Sequence, residues 1–141
     1  MAGGDVMKGR VIYITQHDME RLRALIEIYN GKDAVYLERL EEELDSARIV
    51  EPKNIPYDVI TMNSVVRIKD LDTGEEKTFA IVFPGKTDAT EKAISILAPV
   101  GTALIGYREG DTIEWEVPAG TKRFQVIEII YQPERVGNYE L

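Results

Sequence analysis

The sequence predicts an α+β chain: a short N-terminal antiparallel helical hairpin, a coiled coil in outline, followed by an antiparallel sheet unit with one short helix. Three observations predict it. Apolar residues recur twice at 3, 4, 3 spacing before residue 48, the stripe of an amphipathic helix. Beyond Pro56 the period falls to two, with Val66 and Ile68 alternating with Arg67 and Lys69. Between Ser95 and Gly110 a strand ending at Ala98 meets a short helix opened by Pro99 and stopped at Gly106.

Residues 1–10 are Gly-rich and polar and read as a loose tail. Val11 to Ile14 is a short apolar run, a strand or a packed lead-in. Thr15-Gln-His-Asp18 has the form of a capping box, with Thr15 as N-cap. The first helix follows, with its stripe at Met19, Leu22, Ile26 and Tyr29. Asn30-Gly31 stops it, because both residues tolerate left-handed backbone. Asp33 caps a second helix striped at Leu37, Leu40, Leu44 and Ala47, which Pro52 ends. Matched stripes and a short connection fold the two helices back antiparallel. Whether the stripes pair mainly with each other or pack on the main core is open at this level.

Glu51 to Tyr57 reads as a linker, so the expected division is 1–51 for tail and hairpin and 52–141 for the sheet domain. Asp70-Leu-Asp-Thr-Gly74 is a hairpin turn between strands at Val66–Lys69 and Lys77–Phe83. Thr87 to Lys92 is a polar loop and Ala93 to Leu97 a third strand. Ile113, Trp115 and Val117 alternate with Glu114 and Glu116; Pro118 to Gly120 turns the chain. Phe124 to Tyr131 is apolar on both faces and therefore central in the sheet; Gln132 to Leu141 reads as a tail.

Composition narrows the function classes. Of 141 residues, 44% are hydrophobic and 30% charged, the balance of a globular protein. There is no cysteine, so thiolate metal sites are excluded, and the single histidine, His17, leaves no imidazole cluster for zinc. No apolar run reaches the ~20 residues of a membrane span. The first residues lack the basic and apolar regions of a signal peptide, so the expected location is cytoplasmic. The net charge is −8, and between Asp33 and Glu51 seven acidic residues meet two basic ones. That balance opposes phosphate backbones, so direct nucleic-acid binding is not expected and a protein partner is.

No catalytic constellation is legible. His17 lies in a first helical turn without a nucleophile beside it. Gly101 to Gly106 lacks the GK[ST] ending of a phosphate loop. Asp70, Asp72 and Glu75 crowd a turn without EF-hand spacing and read as turn formers. On the second helix Glu38, Glu42 and Asp45 share a face, which reads as a metal site, a partner surface or plain solvated charge. No metal, cofactor or catalytic residue is assigned.

These features together resemble the GreA/GreB family. The residues that carry the resemblance are Pro56-Tyr-Asp-Val-Ile-Thr-Met-Asn-Ser64, Ala98-Pro-Val-Gly-Thr-Ala-Leu-Ile-Gly106, Gly110-Asp111, Trp115-Glu-Val-Pro118, Gly120 and Tyr131-Gln-Pro-Glu134 with Gly137. With the hairpin, which matches by pattern, the resemblance covers nearly the whole chain. The resemblance implies an FKBP-like sheet domain that docks on RNA polymerase at the rim of the secondary channel, as a monomer, with the hairpin pointing inward. It places the docking segment at Ala98, Pro99 and Val100, where the family's Ser-Pro-Leu has its serine replaced by alanine. The hairpin tip comprises Asn30, Gly31, Lys32, Asp33 and Tyr36. Family members that promote transcript cleavage carry Asp-x-x-Glu at the tip, two carboxylates for a second Mg²⁺. Here Tyr36 stands three residues after Asp33, so cleavage is not expected. A hairpin of this length reaches roughly 20–25 Å. An FKBP-like fold also brings prolyl isomerisation to mind, but fold does not carry function, and no aromatic-lined pocket is legible.

Overall fold

The computed structural model describes residues 11–29, 34–84, 92–117 and 120–139, without the side chains of residues 34–36, 99 and 115–117. The predicted tail over residues 1–10, the cap at Asp33, the loop at 87–91 and the turn at Pro118 lie outside the described residues.

The chain opens with β1 (Tyr13–Thr15), which runs directly into α1 (Gln16–Tyr29). Thr15 acts as the predicted cap: its Oγ1 accepts the Asp18 N–H at 3.0 Å. α2 (Ala34–Ser46) returns antiparallel and ends in β2 (Arg48–Val50). The sequence expectation carried the second helix on to Pro52. Instead Arg-Ile-Val leaves the helix and pairs in parallel with β1, Tyr13 opposite Arg48 and Thr15 opposite Val50. The hairpin therefore stands on a two-stranded clasp rather than on loose chain ends.

The second sheet has five strands: β3 (Val65–Asp70), β4 (Glu76–Val82), β5 (Ala93–Ser95), β6 (Thr112–Val117) and β7 (Gly120–Tyr131). Their order across the sheet is β5-β4-β3-β7-β6, which puts the long β7 inside, as its two apolar faces require. The antiparallel expectation fails at one edge, where β5 pairs in parallel with β4, Ile94 opposite Ile81. The chain crosses from β4 to β5 instead of turning back as a hairpin, so the sheet is mixed. α3 (Pro99–Leu104) follows β5 with Pro99 at its first turn, and Gly106 comes just past its end with φ 83°.

One apolar core runs through hairpin and sheet. Leu22, Leu40 and Leu44 of the hairpin join Ile12 and Ile14 of the clasp, Leu104 and Ile105 at α3, and Val66, Ile81, Ile113, Val126 and Ile129 of the sheet. The helical stripes thus meet each other and continue into the main core. On α1, Leu25 is more deeply buried than the expected stripe residue Ile26.

The expected C-terminal tail is tied down. Pro133–Val136 forms a 3-10 turn closed by Gly137 in left-handed backbone at φ 79°. Gln132 is buried and donates through Nε2 to the carbonyls of Val59 at 2.7 Å and Pro56 at 3.0 Å.

Candidate functional site

The segment Ala98-Pro99-Val100 sits where β5 hands over to α3. Ser95 Oγ accepts the Leu97 N–H at 3.0 Å, and Ser95 O accepts the Ala98 N–H at 3.0 Å, which turns the chain into the helix. Thr102 Oγ1 donates to Ile96 O at 2.6 Å and locks the helix onto the strand end. Gly101 permits this approach: a Cβ there would lie 2.4 Å from Ser95 O. Ala98 provides no capping side chain, so the first α3 amides lack the acceptor that a serine at this position would supply. α2 of the hairpin packs against α3, so the helix that this segment opens touches both halves of the molecule.

Beside Val100 the sheet opens into a pocket of about 130 Å³. Phe79, Phe124, Ile68 and Val100 line it, with Asp70, Glu75, Lys77 and Lys122 at its rim. Lys122 pairs with Asp70 at 3.5 Å and Lys77 with Glu75 at 3.8 Å. Asp70 is held below the usual carboxylate range, first by the N–H of Asp72. It thus acts as the turn former read from the sequence. The aromatic lining corrects the expectation that no such pocket exists. Phe79 and Phe124 lie 45 positions apart and share a pocket only because β4 and β7 flank β3. No local pattern signals that.

Of the tip candidates, Asn30, Gly31, Lys32 and Asp33 lie outside the described residues, and of Tyr36 only the backbone, on α2, is described. The helical shafts have 14 and 13 residues, which gives each a length of about 20 Å. Arg23 on α1 pairs with Asp45 on α2 at 2.8 Å. Burial, reinforced by the neighbouring Glu42, pushes the Glu43 carboxyl up to about 7, against the pull of Arg39.

A polar node at the hairpin base was not anticipated. Asp18, 2% exposed, takes Arg21 Nη2 on Oδ1 at 2.7 Å and the Met62 N–H on Oδ2 at 3.1 Å. Arg21 also lies 4.6 Å above the Phe83 ring. Nearby, Glu134 Oε1 accepts from Thr61 Oγ1 at 2.8 Å, and Thr61 exchanges a 2.8 Å hydrogen bond with Ser64. Burial raises the pKa of both Asp18 and Glu134. The node joins α1, the 61–64 turn and the C-terminal turn. A second anchor lies across the base, where Arg108 holds Asp58 through two nitrogens, at 2.8 and 3.2 Å. The sequence signal for Asp18 is its place at the end of the Thr15-Gln-His-Asp18 capping box. Its side chain instead reaches 44 positions forward.

Comparison with known proteins agrees with this architecture. The family model "Transcription elongation factor, GreA/GreB, C-term" matches residues 35–131, and "Rnk N-terminus" matches residues 10–50. The chain is 39% identical over 136 residues to the Regulator of nucleoside diphosphate kinase of Escherichia coli K12, covering 96% of this chain and 100% of that protein. It is 37% identical over 91 residues to Transcription elongation factor GreA of Clostridium botulinum, covering 64% of this chain and 57% of that protein. Among solved structures, the prokaryotic transcription elongation factor GreA/GreB from Nitrosomonas europaea superposes with a TM-score of 0.72 at 41% identity, covering 85% of this chain and 99% of that one. With the C-terminal model spanning α2 to β7 and the N-terminal model spanning clasp and hairpin, the chain belongs to the GreA/GreB family.

Proposed function

We propose that this protein is a transcription regulator that binds RNA polymerase at the secondary channel, competes there with Gre-type factors and does not promote transcript cleavage. The observation that carries this reading is the joint between α3 and the hairpin. Val100 of the docking segment borders an apolar pocket, and the helix that the segment opens packs on α2. A partner element seated there would fix the direction in which the hairpin points. A pocket of about 130 Å³ compares with the engineered cavity of roughly 150 Å³ that holds benzene, so it suits one aromatic or aliphatic side chain.

The absence of cleavage is argued from the tip. Asp33 has Tyr36 rather than a glutamate three residues on, and Glu38 lies more than a helical turn further along. One carboxylate beside Lys32 is a poor second ligand set for Mg²⁺.

Pull-down with core RNA polymerase tests the reading, with a Gre factor added as competitor. We expect retention at micromolar concentration and release by the competitor; no retention rejects the proposal. In parallel, the protein is added to backtracked elongation complexes. Shortened RNA that disappears in Asp33→Ala would establish a cleavage factor instead. Phe79 and Phe124 give a prolyl-isomerase reading its one supporting feature, and a peptide isomerisation assay decides it.

A further inference from the structure

The hairpin carries a second concave surface, remote in sequence from the docking segment. It is an open groove of about 550 Å³ along the outer flank of α1, bounded by Glu41 of α2. Its apolar lining is the exposed Ala24, the half-buried Ile26 and the edge of the core residue Met19, and its charged lining is Glu20, Arg23, Glu27 and Glu41. Glu20 and Glu27 stand seven residues apart, two turns along one face, with Ala24 between them.

The charges of this groove are one-sided. Arg23 is neutralised by Asp45 at 2.8 Å, and Arg21 is spent on Asp18 at 2.7 Å. Among the described residues Glu27 and Glu41 form no ion pair, and Glu20 meets only the Gln16 amide at 3.5 Å. An apolar lining between uncompensated carboxylates selects its occupant. A second copy of this chain carries the same −8 charge and is opposed. Nucleic acid is opposed for the same reason. A helix with aliphatic side chains on one stripe and Lys or Arg beside it satisfies the apolar and the charged lining together.

We infer that the α1 flank is a binding groove for a basic amphipathic helix of a partner protein. The groove acts separately from the pocket at Val100, and a partner that engaged both would be held at two points. The inference does not depend on which protein supplies the helix.

The test uses the full chain and a fluorescent 14-residue Leu/Lys peptide with an amphipathic stripe. A scrambled peptide of the same composition is the control. Binding is read by anisotropy in 50 mM salt. The groove predicts saturable binding below 100 µM, at least tenfold tighter for the amphipathic peptide than for its scramble and weakened by salt. Ala24→Lys fills the groove with a cation at an exposed position of high helix propensity and should weaken binding at least tenfold. Glu20→Gln/Glu27→Gln/Glu41→Gln should do the same, with circular dichroism confirming that both variants keep their helices. No binding at 100 µM, equal affinity for the scramble, or indifference to Ala24→Lys would each overturn the inference.

Discussion

The two ends of the hairpin are built on opposite principles. At its base the buried polar groups are tied to one another: Asp18 to Arg21 and the Met62 N–H, Thr61 to Ser64 and Glu134, and Gln132 Nε2 to two carbonyls, while Arg21 Nε and Gln132 Oε1 have no hydrogen-bond partner among the described residues. Along the shaft the carboxylates of Glu20, Glu27 and Glu41 form no ion pair among the described residues. The difference teaches what each end is for. The base spends its interactions on fixing the hairpin against the sheet unit, so that its direction is set by the fold. The shaft pairs Arg23 with Asp45 and leaves a surplus of acidic charge facing outward, which is what the proposed partner helix would meet.

The sharpest way to break the base is Gly106→Ala. Its φ of 83° disfavours any side chain, and a Cβ would lie 2.8 Å from Ile12 Cβ. Strain and overpacking together should cost about 3–5 kcal/mol, read as a lower midpoint in denaturant unfolding. Asp18→Ala comes next, because it strands the buried Met62 N–H and takes the partner from the half-buried Arg21; about 2–4 kcal/mol is expected by the same measurement. A cost below 1 kcal/mol for either variant would remove the distinction between base and shaft.

Glu43 gives a smaller effect with a defined pH dependence. Its folded pKa of about 7 lies above the ordinary value of 4.5, so the folded state binds the proton more tightly than the unfolded one. Stability from this group is present below pH 4.5 and is lost as pH rises through 7. Relative to Glu43→Gln, the parent protein should lose about 1–3 kcal/mol between pH 4.5 and pH 8. A constant difference between the two proteins across that range would contradict the assignment. The smallest effect belongs to the shaft: Arg23 and Asp45 are 41% and 65% exposed. Asp45→Ala should therefore cost about 0.5 kcal/mol or less, and raised salt should erase the difference.

Much of this fold was legible because it is local. The 3, 4, 3 stripes, the Thr15 cap, the Asp70 turn and the Pro99 start each depend on residues within a few positions of one another, where propensity and side-chain bonding act directly. What escaped was set by distance. Arg48-Ile-Val50 is continuous with a helical stripe and becomes a strand only because β1 lies alongside it. β5 is parallel because of the crossover from β4, which no residue in Ala93–Ser95 announces. The C-terminal segment was read as a tail although it contained Pro133 and Gly137, the start and cap of its 3-10 turn. For the candidate site, Ala98, Pro99 and Val100 are a proposal drawn from the family resemblance. The pocket beside them was not legible, because its phenylalanines converge through sheet order alone.

The central claim is a mode of binding: a Gre-type docking unit that occupies the polymerase without cleaving RNA. Titration of labelled protein onto backtracked core elongation complexes, with RNA length followed in the same tubes and a Gre factor added last, addresses it directly. The account predicts saturable micromolar binding, displacement by the Gre factor, and RNA that keeps its length until that factor is added. Failure to bind at micromolar concentration, binding that a Gre factor leaves untouched, or RNA shortening by this protein alone would contradict it.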